Sequence, residues 1–243
     1  MEELKLPQKV ARLLREFTDR AQEIYREELI SVILYGSAAS GEFSAAHSNV
    51  NLVVVLKETG LASLSKIAPL LNKGKLRAFN IVFFTENYIK NSADVFPIEF
   101  LDIKENHKIL YGKDVVSGLD IDIKNLRFQC EQELRSKIIN IKKAYLASVD
   151  SPDLDKLLLK FFTSSLHILR NVLRLKSGNA VYRKEDILNA ISAGFHIDTA
   201  GMRKILEARG AGKRLPKRSA AELFNSFVAD LEKISDEVDG HKG

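Results

Sequence analysis

The chain carries one cysteine, Cys130, in 243 residues, so it has no internal disulfide and suits a reducing compartment. Its neighbours on a helical pattern are apolar, and a buried structural thiol is expected. The five histidines are scattered, and with a single thiol they make no zinc-ligand spacing. No apolar run approaches the length of a membrane span. Met1-Glu2-Glu3 does not open a basic-then-apolar leader, so the expected location is the cytoplasm. Charge of one sign is also scarce. Against 37 Lys and Arg stand 32 Asp and Glu, and the net +5 permits contact with nucleotides or nucleic acid without arguing for it. There is no internal repeat and no low-complexity tract. What remains is ordinary globular composition, 45% hydrophobic and 28% charged, at a length that suits one large or two medium domains.

Within that unremarkable background, residues 31–56 stand out. An apolar strand, Ser31-Val32-Ile33-Leu34-Tyr35, runs into Gly36-Ser37. A loop of small residues follows, and a second apolar strand begins at Ser48-Asn49-Val50-Asn51 and continues through Leu56. Gly36 permits a tight turn with close backbone approach, and Ser37 offers a hydroxyl and an amide. Asn49 and Asn51, at i and i+2 of a strand, point to one face. Alone, this is a strand-turn-strand unit with a polar edge.

The layout resembles the signature of the nucleotidyltransferase superfamily, the polymerase-beta-like fold, in which Gly-Ser is followed about a dozen residues later by Asp-x-Asp. The resemblance implies triphosphate binding by Gly36 and Ser37, with Ser48 supporting the start of the second strand. It places Asn49 and Asn51 where the family holds its metal carboxylates. In that family a nucleoside monophosphate moves from a triphosphate to an acceptor, with Mg2+ clamping the reacting oxygens. Magnesium requires hard oxygen ligands and is normally held by carboxylates and substrate phosphates. An asparagine keeps one carbonyl oxygen but no charge. At an effective dielectric near 20, a unit charge pair about 4 Å apart is worth roughly 4 kcal/mol, and a divalent ion doubles it. Those are gross terms, but losing two of them predicts weakened or absent metal binding.

Superfamily enzymes usually take a third carboxylate from a neighbouring strand. Here the next strand is Phe79-Asn80-Ile81-Val82-Phe83-Phe84, and its matching position is Asn80, again an amide. Substitute acids are Glu42, after Gly41, and Glu99 in Pro97-Ile98-Glu99-Phe100-Leu101-Asp102-Ile103. Read as a strand, that segment sends Glu99 and Asp102 to opposite faces, so at most one of them reaches the site. Phe96-Pro97-Ile98-Glu99-Phe100-Leu101-Asp102-Ile103 followed by His107-Lys108-Ile109-Leu110-Tyr111-Gly112-Lys113-Asp114 looks like the closing strands of a bacterial nucleotidyltransferase domain. Some divergent bacterial members are themselves poor in metal carboxylates.

Periodicity places a helix over 7–27, strands near 30–36, 50–56, 79–84, 98–103 and 107–111, and helices near 61–72 and 85–92. Turn residues between Gly112 and Leu119 mark a boundary. Beyond it the pattern is helical, over about 123–148, 153–176, 184–193, 199–208 and 219–237. The expected fold is α+β: a polymerase-beta-like head with a mixed sheet over 1–118, then an all-α bundle over 119–243. The bundle offers no ribonuclease signature of the HEPN kind, because neither His167 nor His196 has an arginine at the required upstream spacing. Arg209, Lys213, Arg214, Lys217 and Arg218 form a basic loop with no aromatic residue for base stacking, which supports nucleic-acid binding poorly. Gly212-Lys213 is not a P-loop, since position 207 is Glu and Arg214 replaces the hydroxyl residue.

Three functions follow from the resemblance. The first is a catalytically impaired pseudoenzyme that binds a nucleotide or other phosphate ligand, with ATP or another triphosphate as the expected ligand. The second is a residual Mg2+-dependent nucleotidyltransferase with an unknown acceptor. The third is a protein-interaction module whose helical domain forms a homo-oligomer or takes a protein partner.

Overall fold

The computed structural model describes residues 6–41, 43, 49–72, 76 and 79–240. They fall into two compact units, Met1–Ile121 and Asp122–Gly243.

The first unit opens with α1 (Gln8–Tyr25), whose Leu14, Phe17, Thr18, Ala21 and Tyr25 repeat at helical spacing and are buried. It lies against one face of a mixed sheet built from β1 (Leu29–Tyr35), β2 (Val50–Leu56), β3 (Phe79–Phe84) and β4 (His107–Gly112). The strand order is β3-β2-β1-β4, with β1 antiparallel to β2 and β4, and β2 parallel to β3. Both central strands are buried on both faces, which explains their nearly unbroken Val, Ile and Leu runs. Side chains alternate between two cores. Val32, Leu34, Leu52 and Val54 join α1, and Phe17 meets Phe79 edge to face at 6.5 Å. Ile33, Val53 and Val55 point the other way, against α5 (Glu86–Ser92) and α6 (Pro97–Glu105).

α6 corrects one expectation. Residues 98–103 are helix, not strand. Pro97 supplies the fixed φ of a first helical turn, and Pro97, Phe100 and Ile103 recur every three residues as its buried face. The adjacent Ile98, also buried, gave the segment its strand-like alternation. The expected helix over 61–72 is likewise broken, into α3 (Leu61–Ser65) and α4 (Ala68–Leu71). Pro69 has no N–H with which to continue α3, so a new helix starts around it. Between β1 and β2 lies a single helical turn, α2 (Ser37–Ser40).

The second unit is helical among its described residues: α7 (Ile123–Ser148), α8 (Leu154–Ser177), α9 (Lys184–Phe195), α10 (Ala200–Gly210) and α11 (Lys217–Asp239). α8 is the central element, touching each of the other four. Its wide apolar surface follows from that position. Phe162 meets Phe227 of α11 edge to face at 5.8 Å. Cys130 is buried on α7, and burial, with the Glu133 charge, pushes its thiol up to about 12 despite Arg174. It is an unreactive packing thiol. No described helix is long and apolar enough to cross a membrane.

The basic segment after α10 is largely committed to internal pairs. Arg214 Nε donates to the buried Asp155 at 2.6 Å, and its Nη2 donates to Pro152 O at 2.5 Å and Asp153 at 3.1 Å. Lys217 pairs with Asp150 at 3.3 Å and Arg218 with Glu222 at 3.1 Å. The segment therefore serves as a clamp between two loops.

Asp230, 8% exposed on α11, has a measurable consequence. Burial pushes its carboxyl up to about 6, with Lys233 opposing and Asp198 adding. A folded-state value above the unfolded one, about 4, means that ionisation penalises folding. The penalty is absent below about pH 4, grows towards pH 6 and is complete above it. Asp230→Asn is therefore expected to stabilise the protein by about 1–3 kcal/mol at pH 7.5 and by almost nothing at pH 4. Urea denaturation at the two pH values checks it, and an equal effect at both would contradict it.

Candidate functional site

The Gly36-Ser37 turn is held from two sides. Gly36 N–H donates to Asn106 O, just past α6, at 2.9 Å, and Gly36 O accepts from the amides of Ala39 and Ser40 at 2.9 and 3.0 Å. Its φ of 73° and ψ of −150° lie in a region essentially confined to glycine. A Cβ built there would stand 3.1 Å from Asn51 Nδ2, so the turn and the second strand meet at this point.

Strand register aligns the rest. Asn51 is the Cα partner of Tyr35 on β1 and of Asn80 on β3, and Tyr35 is the partner of His107 on β4. The row Asn80–Asn51–Tyr35–His107 thus crosses the sheet beside Gly36. Asn51 shares the sheet face of Val53 and Val55, and Asn80 that of Val82 and Phe84, the face covered by α5 and α6. Asn80 Nδ2 donates to Asn51 Oδ1 at 3.3 Å. Asn49 is exposed, immediately before β2. The structure therefore brings together Gly36, Asn51 and Asn80, with Ser37 next in the chain. Glu42 and Ser48 lie outside the described residues.

Glu99 and Asp102 are three residues apart on a helix, not a strand, and share one face. Both act on Tyr35: burial raises its phenol above the ordinary range, and the Asp102 and Glu99 charges raise it further. Sequence reasoning missed Tyr35 and Asn106 as parts of this corner and set Asp102 aside. The usable signal was Pro97, which marks a helix start and turns the Glu99–Asp102 spacing into a shared face. At the end of the row, His107 Nδ1 donates to Lys104 O at 3.0 Å, and its Nε2 stands 3.3 Å from Asp114. Asp114 also accepts from the amides of Val116 and Ser117 and from the Ser117 hydroxyl. Against desolvation, these bonds hold its carboxyl well below the usual range. Its role is to fold the turn after β4.

The donor set at 49, 51 and 80 does not fit a magnesium pair. All three are neutral amides, and Asn51 Oδ1, turned towards β3, already accepts a hydrogen bond from Asn80. Among the described residues, no group of three or more His, Cys, Asp or Glu is placed to hold a metal.

No protein-family model matches the chain, and no curated protein matches it significantly. Among solved structures, it is similar to spectinomycin adenyltransferase AAD(9) from Enterococcus faecialis, in a crystal structure with ATP and spectinomycin. That match has a TM-score of 0.56 and 17% identity, and covers 90% of this chain and 99% of the other. The fold is that of a nucleotidyltransferase: a mixed sheet with its flanking helices, followed by a helical region.

Proposed function

We propose that this nucleotidyltransferase-fold protein binds a nucleoside triphosphate, or a ligand presenting the same phosphates, at the Gly36-Ser37 corner, and that it has lost metal-dependent transfer. One observation carries the reading: the positions that match the family's three metal carboxylates are Asn49, Asn51 and Asn80, and two of them are hydrogen-bonded to each other. A carboxylate pair so close would repel, and a metal would be needed to hold it; an amide pair forms a hydrogen bond instead. Gly36 keeps the backbone shape that lets a ligand approach. The similarity to a protein crystallised with ATP supports a triphosphate as the ligand class.

A residual transferase would need its acids from elsewhere. Glu99 and Asp102 act on Tyr35, one strand over from Asn51, and would have to stand in for the family's strand-borne carboxylates. Titration of the full chain with ATP, GTP, CTP and UTP, with pyrophosphate release followed in the same samples, tests the reading. Saturable binding with no release is expected. Sustained release with Mg2+, with spectinomycin as trial acceptor, would overturn it.

A further inference from the structure

The misfit between this corner and a metal has a specific chemical consequence, which rests on the nucleotide-binding reading above. A carboxylate at position 51 can only accept hydrogen bonds, so it meets a phosphate oxygen through a cation or not at all. An asparagine brings two N–H donors to the same place. Which end of the amide faces the turn therefore decides what the site can hold.

The structure answers that. Asn80 Nδ2 donates to Asn51 Oδ1 at 3.3 Å, which turns the oxygen of Asn51 towards β3. Its nitrogen is left facing Gly36, where a Cβ would stand 3.1 Å away. The turn itself makes no demand on that amide: Gly36 N–H is already satisfied by Asn106 O at 2.9 Å. Among the described residues, no acceptor takes up the Asn51 Nδ2 hydrogens. The donor group thus points into the corner where Gly36 lets a ligand come close.

We propose that Asn51, oriented by Asn80, donates directly to phosphate oxygens, so that this corner binds a polyphosphate free of divalent cation. Asn51 then does by hydrogen bonding what a metal ion does in a carboxylate site. Asn80 is a positioning residue: it need not touch the ligand, and it sets which atom of Asn51 does. Magnesium gains no foothold on the amides and draws free triphosphate into its own complex, so its addition leaves affinity unchanged or lowers it.

The test is calorimetric titration of the full chain with ATP and with inorganic tripolyphosphate, in EDTA and in excess Mg2+. Both ligands are expected to bind in EDTA, no more weakly than in Mg2+. Asn51→Asp, nearly isosteric, is expected to weaken binding in EDTA by about tenfold, the loss of one hydrogen bond to a charged group, and to make Mg2+ favourable. Asn80→Ala is expected to weaken it several-fold by freeing the Asn51 amide to turn, while leaving it insensitive to Mg2+. Binding that requires Mg2+ in the unmodified protein overturns the metal-free mode but leaves nucleotide binding standing. Absence of binding in either buffer overturns both readings. Unchanged EDTA affinity in Asn51→Asp, or binding of ATP without tripolyphosphate, also overturns the proposal.

Discussion

Gly36→Ala is expected to abolish triphosphate binding and to cost about 2–3 kcal/mol of stability in the first unit. Two effects combine. The backbone at Gly36, φ 73° and ψ −150°, is one that a side chain strains. The new Cβ would also stand 3.1 Å from Asn51 Nδ2, tight enough to displace the amide. Stability falls because the turn must distort or break the bond from Gly36 N–H to Asn106 O. Binding falls because the methyl occupies the corner the ligand approaches. Calorimetry and urea denaturation on the same preparation check both halves. Undiminished binding in a folded Gly36→Ala protein would remove Gly36 from the site.

Gly112→Ala should be the most damaging single methyl in the first unit, costing about 3–5 kcal/mol. Here φ is +79°, and the added Cβ would lie 2.0 Å from Ile30 O and 2.9 Å from Ile30 C, both backbone atoms of β1. No rotamer change relieves a clash with a neighbouring strand, so β4 must move away from β1. That shift also strains the bond from Ser31 Oγ to Tyr111 O, 2.9 Å long. Measured against a typical domain stability of about 5–15 kcal/mol, the loss is a large share. Gly118, with nothing within 4 Å of its Cβ position, is the matched control and should tolerate alanine. The chain has no tryptophan, so hydrogen exchange on the β1 and β4 amides is the sharper readout. Protection equal to the unmodified protein in Gly112→Ala would contradict this reading of the strand pair.

Both glycines were visible in the sequence, but unequally. Gly36 stood out because a strand, a Gly-Ser pair and a second strand occur at recognisable spacing. The reason for Gly112, a backbone oxygen of a strand some eighty residues away, is a tertiary fact no local pattern carries. The strands at 29–35 and 50–56 were legible because burial on both faces demands long aliphatic and β-branched runs, and the half-buried edge strand at 79–84 because of its aromatic and β-branched residues. The long helices at 123–148 and 154–177 were legible from period. The segment at 97–105 misled because Ile98 and Phe100 imitate a strand's alternation over a stretch too short for helical period to show. That error reached the site, since it separated Glu99 from Asp102. Asn49, Asn51 and Asn80 could be picked out by resemblance to the family's motif, but the bond between two of them, and the direction in which it turns an amide, required the register of β2 against β3.

The most direct measurement is titration of the unmodified chain, beside Gly36→Ala, with the four nucleoside triphosphates while pyrophosphate is monitored. Saturable binding by the unmodified protein, lost in Gly36→Ala and accompanied by no pyrophosphate in either, is the expected result. Failure to bind any triphosphate, or steady pyrophosphate release from the unmodified protein, would contradict a nucleotide-binding fold that has given up transfer.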